Sequence, residues 1–136
     1  MDKKLLTDTA LLVLRLTLGA IFVAHGLQKL FGIFGGSGIQ GFAGMLAQIN
    51  FSPSVLWAWI VALGETIGGG FLIAGILPRL SAALIGMIMI VAILMIHGPK
   101  GFFAMRGGFE YQLLILAVCV LFVLVGAGRF SVYNKW

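Results

Sequence analysis

The chain has 136 residues, of which 61% are hydrophobic and 10% charged, with a net charge of +5. A soluble domain carries about 25% charged residues, so this composition, with a mean hydropathy of +1.14, excludes an ordinary soluble enzyme and leaves room for a single membrane domain. The basic residues are scattered rather than blocked, which argues against a nucleic-acid partner, and the lone Cys119 excludes dithiol chemistry within one chain.

The first apolar run, Thr9 to Leu27, is long enough to span a bilayer and ends at no small-residue cleavage site. It reads as a retained span over about 9–29, capped by Thr7 or Asp8 and closed by Gly32, Gly35 and Gly36. Ile39, Phe42, Leu46 and Ile49 then recur at helical spacing. They predict a short amphipathic helix at the interface, serving as an anchor or as a lid over a pocket mouth. A second span, about 53–77, begins at Ser52-Pro53, a cap followed by proline at the first helical position. Pro78 allows a tight turn into a third span, 79–97, which Gly98-Pro99 should stop. A fourth, about 109–126, is closed by Gly126 and Gly128.

Only helices and closed barrels satisfy their backbone groups in lipid, and the long apolar runs favour helices. The expected fold is therefore all-α, an integral membrane four-helix bundle with the amphipathic helix between its first two spans, forming one domain over 1–136. Lys3, Lys4, Arg79, Arg129 and Lys135 flank the terminal side, against Lys29, Lys100 and Arg106 on the other. The bias predicts that both termini are cytoplasmic.

Ionisable groups at membrane depth cost about 2.5–3.5 kcal/mol on insertion scales, so each marks a candidate site. Arg15, Phe22 and Lys29 follow a seven-residue repeat, and His25 lies within about 80° of that line, giving a face that turns inward. Lys29, near the helix end, has the alternative of snorkelling to the interface. Glu65 falls near the middle of the second span, beside Gly68-Gly69-Gly70, and its expected partner is Arg15 or His25. Gly64 and Gly68 form a small-residue seam for a neighbouring helix, and Gly69 leaves space for a ligand. His97 ends the third span and Glu110 opens the fourth, where the helix dipole favours a carboxylate.

These positions predict an outward-opening polar cleft, with His25, Lys29, His97, Arg106 and Glu110 around its mouth and Glu65 and Arg15 deeper. His25, Glu65, His97 and Glu110 are the candidates for proton handling. Arg15, Phe22, Lys29, Gly69 and Arg106 are the candidates for ligand binding. Two facing histidines could also ligate haem, although such residues more often bond each other or a carboxylate; no metal site is expected. Gly36 to Gly41 spells G-x-G-x-x-G but follows no strand, so it is not a dinucleotide site.

Arg15 to Gly19, Phe22 and His25 to Leu30 resemble the first-helix signature of the DoxX family of small integral membrane proteins. Glu65, Gly68, Gly69, Leu72, Gly75 and Arg79 are similar to its second block. Gly101 to Phe103, Gly107 to Glu110 and Gly126 to Ser131 are similar to its third. Tyr133 stands where the family carries an aspartate. The resemblance implies a four-helix protein of the bacterial inner membrane, in contact with lipid and associated with oxidoreductase complexes. Relatives are linked to quinone-coupled sulfur oxidation, oxidative-stress complexes and catechol or quinone detoxification. A quinone-like small molecule and a redox partner protein are therefore expected, with a homo-oligomer compatible with the glycine seams. A non-catalytic scaffold and a small proton-coupled transporter remain alternatives. Opposing Arg, His and Lys side chains disfavour a carrier of cations.

Overall fold

The computed structural model describes residues 2–133; Lys135, counted above for orientation, lies outside them. Five helices follow one another: α1 (Lys3–Phe31), α2 (Gly38–Gln48), α3 (Ser54–Ala74), α4 (Pro78–Ala92) and α5 (Glu110–Val125). No strand occurs among the described residues; Ile76 and Tyr133 form an isolated bridge.

The first helix begins six residues earlier than expected. Asp2, not Thr7 or Asp8, accepts the backbone N–H of Lys4 as the N-cap. Thr7 and Thr9 instead donate their hydroxyls to the carbonyls of Lys3 and Leu5, which lets threonine sit inside a helix. Pro53, with extended backbone, is the cap residue of α3 in place of Ser52. That helix ends at Ala74, short of 77, because Gly75 adopts φ 71° and its turn is closed by Ile76 N–H donating to Phe71 O. Pro78 then occupies the first turn of α4.

Gly98-Pro99 does not end a regular helix. The α geometry gives way at Ile93, where a π turn runs to His97 and a 3₁₀ turn follows to Lys100. Proline has no N–H to continue the ladder, and Gly98 N–H reaches back five residues to Ile93 O. Such widened turns redirect side chains; here the turn carries His97.

Three stretches are long and apolar enough to cross a membrane: α1, α3 and Pro78–Lys100. With its 16 residues, α5 measures about 24 Å at 1.5 Å per residue, less than the about 30 Å hydrocarbon core.

Helix α1 runs antiparallel to α3 at backbone contact. A Cβ on Gly19 would lie 2.6 Å from Gly69 O, and one on Gly26 would meet Thr66 Oγ1 and stand 2.7 Å from Thr66 N. Gly64 and Gly68, the seam expected from sequence, face α4 instead, through Ile88 and Ile85 at 3.4 Å. The triglycine region thus serves two helix neighbours at once. Leu11, Leu18 and Phe22 join Leu72, Ile85, Ile115 and Phe122 in one core. Cys119 sits in that core at 1% exposure. N-ethylmaleimide should leave it unmodified in the folded protein and label it fully after denaturation, while a cysteine at the exposed Leu124 reacts in both states. Rapid native labelling of Cys119 would mean that α5 is not seated against the core.

After α5 the chain folds back as a strap. Arg129 N–H donates to Asp8 Oδ1 at 3.1 Å, and Tyr133 pairs with Gly75 and Leu77 across the α3–α4 turn. The two ends of the described chain and this turn therefore meet at one end of the molecule, and the α1–α2 and α4–α5 connections lie at the other.

Candidate functional site

At the end carrying those longer connections, the helices diverge around a cavity of about 660 Å³. Helix α1 contributes Phe22, His25 and Lys29, α3 contributes Glu65, the π turn His97, and α5 Gln112. The rest of the lining is mostly apolar.

The centre of the polar side is an ion pair. Lys29 Nζ donates to Glu65 Oε2 at 2.7 Å, with the two side chains 19% and 5% exposed. It is the only ion pair among the described residues. The expected partners of Glu65 were Arg15 or His25, and helix register explains the difference. Gly19 lies beside Gly69 and Ile73, and Gly26 beside Ala62 and Thr66. That register sets Glu65 level with His25 and puts Arg15 level with Gly75. Lys29, one turn beyond, reaches back with its four-carbon stem instead of snorkelling. The ammonium also stands 5.2 Å from the centroid of the Phe42 ring, a cation–π distance.

His97 is held from both ring nitrogens. Nδ1 lies 2.7 Å from Gly107 O and Nε2 3.1 Å from Gln112 Nε2. A carbonyl only accepts, so Nδ1 carries the proton and Nε2 accepts from the amide. Gln112 Oε1 is left buried without a partner. Axial haem ligation by His97 would cost one of its bonds, which weighs against that expectation. His25 lines the cavity with an exposed ring and makes no hydrogen bond among the described residues.

Four expected site residues lie elsewhere. Arg15, 3% exposed, is at the strap end, where its guanidinium donates to Phe130 O at 2.7 Å and Ala127 O at 3.4 Å. It sits about 21 Å along α1 from Lys29, fourteen residues at 1.5 Å each, so a shared face did not mean a shared depth. Gly69 faces the α1 backbone rather than the cavity. Glu110, in the first turn of α5, accepts Ala104 N–H at 2.9 Å and fastens the preceding loop. Arg106 is exposed on that loop. Neither Glu110 nor Arg106 lines the cavity.

Conversely, Lys100, Tyr111 and Gln112 line it without having been singled out. Lys100 served only as a topology marker in the sequence, and the other two form a Tyr-Gln pair in the turn opening an apolar helix, which a search for charged groups passes over. The amphipathic segment packs on α3 and borders the cavity. Ile39, Phe42 and Leu46 pack with Ala58 and Ala62 of α3, while Phe42, Met45 and Leu46 also face the cavity.

Long apolar helices around a cleft whose wall carries a lysine–glutamate pair define a small polytopic membrane protein with a mostly apolar pocket. The chain belongs to the DoxX family, whose sequence profile matches residues 10–98. It is 30% identical over 129 residues to an uncharacterized protein of Haemophilus influenzae, covering 92% of this chain and 82% of that one. It is also 30% identical over 120 residues to the Bacillus subtilis protein named "Putative oxidoreductase CatD", covering 85% and 78%. A second uncharacterized protein of Haemophilus influenzae matches at 29% over 130 residues. No solved structure matches the chain. Family and helices together make this a multi-pass membrane protein in contact with lipid.

Proposed function

We propose that the protein is a redox-associated subunit of the bacterial inner membrane that binds a quinone-like molecule in its cleft. The chain acts as one domain crossing the bilayer four times, through α1, α3, Pro78–Lys100 and α5, with both termini in the cytoplasm and α2 at the opposite interface. The name of the Bacillus subtilis relative supports a redox association, and the small-residue faces suit self-association.

The observation that carries the reading is the Lys29–Glu65 pair on the wall of the cavity. A purely structural pair needs no cavity beside it, and the volume falls within the about 300–1,000 Å³ of small-molecule sites. The free donors fit the two acceptor oxygens of a quinone: the Lys29 ammonium and the His25 imidazole both reach the cavity. A bound quinone supplies two oxygens that take up two electrons and two protons. Lys29 offsets negative charge at one end of such a ring, and His25, free of other bonds, is placed to give and recover a proton. Glu65 exchanges protons with the cavity only when it lets go of Lys29, so the pair couples charge in the cleft to proton movement. His97, oriented by Gly107 and Gln112, presents no free donor and acts by positioning Gln112. Electrons enter from a redox partner protein, in keeping with a subunit of a larger oxidoreductase complex.

The test is purification in mild detergent, followed by an absorption spectrum and mass analysis of bound small molecules. A co-purifying quinone that is lost in His25→Ala and in Glu65→Gln is the expected result. A colourless, ligand-free protein whose variants lose only stability would replace this reading with a scaffold, in which Lys29–Glu65 merely joins α1 to α3.

A further inference from the structure

The cavity does not stop at the inner faces of the helices. On α4 its lining runs from Met89 and Ala92, toward the core, across Leu84 and Ile88, to Met87 and Val91 on the outside. At 100° per residue these positions cover about 200° of the helix circumference, more than a void enclosed between packed helices can touch. Exposure changes along the same path, from 7% at Met89 to 61% at Met87. Helix α3 repeats the pattern, since buried Glu65 and exposed Ile60 and Trp57 line one continuous space.

The glycine contacts show where the two helices separate. Gly68 meets Ile85, and Gly64 meets Leu84 and Ile88. The next turns toward the loop end bring Ile60 and Trp57 on α3 opposite Val91 on α4 and Met95 in the π turn, and all four line the cavity while remaining exposed. The polar lining groups named above lie on α1, the inward face of α3, the π and 3₁₀ turns after α4, and α5. The space is therefore polar at one end and apolar at the end that meets the exterior of two membrane-crossing helices, where the solvent is lipid.

We propose that the gap between α3 and α4 is a lateral portal, and that the ligand is a tailed amphiphile. Its compact hydrogen-bonding head sits against Lys29–Glu65 and His25, and its hydrocarbon or isoprenoid tail passes between Ile60 and Val91 into the bilayer. A water-soluble ligand would need no apolar exit, and an untethered lipid would need no buried ion pair. Access is from the membrane, beneath α2, so α2 can stay seated on α3 while ligand exchanges. The inference rests on the quinone-binding reading and adds the tail and its route.

Binding is measured in lipid nanodiscs by quenching of tryptophan fluorescence, Trp57 being in the cavity wall. The probes are ubiquinone-10 and its tail-less ring, 2,3-dimethoxy-5-methyl-1,4-benzoquinone, with affinities expressed per mole of quinone in the bilayer. Ile60→Phe/Val91→Phe should weaken the tailed quinone at least tenfold and leave the tail-less ring within twofold. Met87→Phe, also at an exposed position, should act in the same direction more weakly. Glu65→Gln should weaken both probes at least tenfold. Equal effects of the portal substitutions on both probes, or no effect on either, would overturn the portal while leaving the cleft in place. Failure of the wild type to bind either probe would overturn the cleft reading and the portal with it.

Discussion

Replacing Lys29 with methionine is expected to lower the unfolding free energy by about 3–5 kcal/mol, because the Glu65 carboxylate stays buried without its cation. The double variant Lys29→Met/Glu65→Leu should recover most of that loss. Exchanging a buried pair for apolar groups of similar volume is often neutral or stabilising, and both side chains are largely enclosed. Denaturant unfolding in mixed micelles, read by circular dichroism on the wild type, both single variants and the double, gives the coupling energy directly. If Lys29→Met alone stays within about 1 kcal/mol of wild type, the pair contributes nothing to holding α1 against α3. The folded double variant also separates fold from chemistry: it keeps the cavity but should no longer retain a quinone.

The second large effect falls on the glycines of α1. Gly26→Ala places a methyl group against Thr66, 2.7 Å from its backbone nitrogen and 3.0 Å from Ala62 O. Backbone cannot step aside as a flexible side chain can, so a loss of about 2–3 kcal/mol is expected, and Gly26→Leu should not yield folded protein. Gly70 provides the counter-case, with nothing within 4 Å of its added Cβ. Gly70→Ala should therefore stabilise α3 by about 0.5–1 kcal/mol, through the entropy that glycine loses in a helix. The same denaturation assay checks both. Equal responses at the two positions would rule out the tight α1–α3 crossing.

The helices were legible because apolar length and glycine or proline punctuation act locally. Gly32, Gly75, Pro78 and Gly126 end or begin elements close to where their backbone preferences place them. The π turn was not legible, since it arises from how α4 relieves the missing N–H of Pro99 over the preceding turns. The polar site was half legible. His25, Lys29, Glu65 and His97 do share one cavity, as expected for groups that avoid lipid. Their pairing was hidden because the segment between α1 and α3 leaves the register of the two helices free, and one turn of slip exchanges the partner of Glu65. Arg15 shows the limit most clearly: periodicity gives an azimuth, whereas its partners are backbone carbonyls of the strap, which no residue-type pattern announces.

That strap also bears on how the protein is made. Arg15 emerges with the first helix, but its acceptor at Phe130 lies 115 residues later in the chain. At synthesis rates of 5–20 residues per second, the guanidinium waits roughly 6–23 s for the carbonyl that will hold it. Through that interval the guanidinium, level with the end of α3, is left to water or lipid head groups for solvation. Asp8, awaiting Arg129, is under the same constraint, so the first helix to be made is among the last to be locked in place.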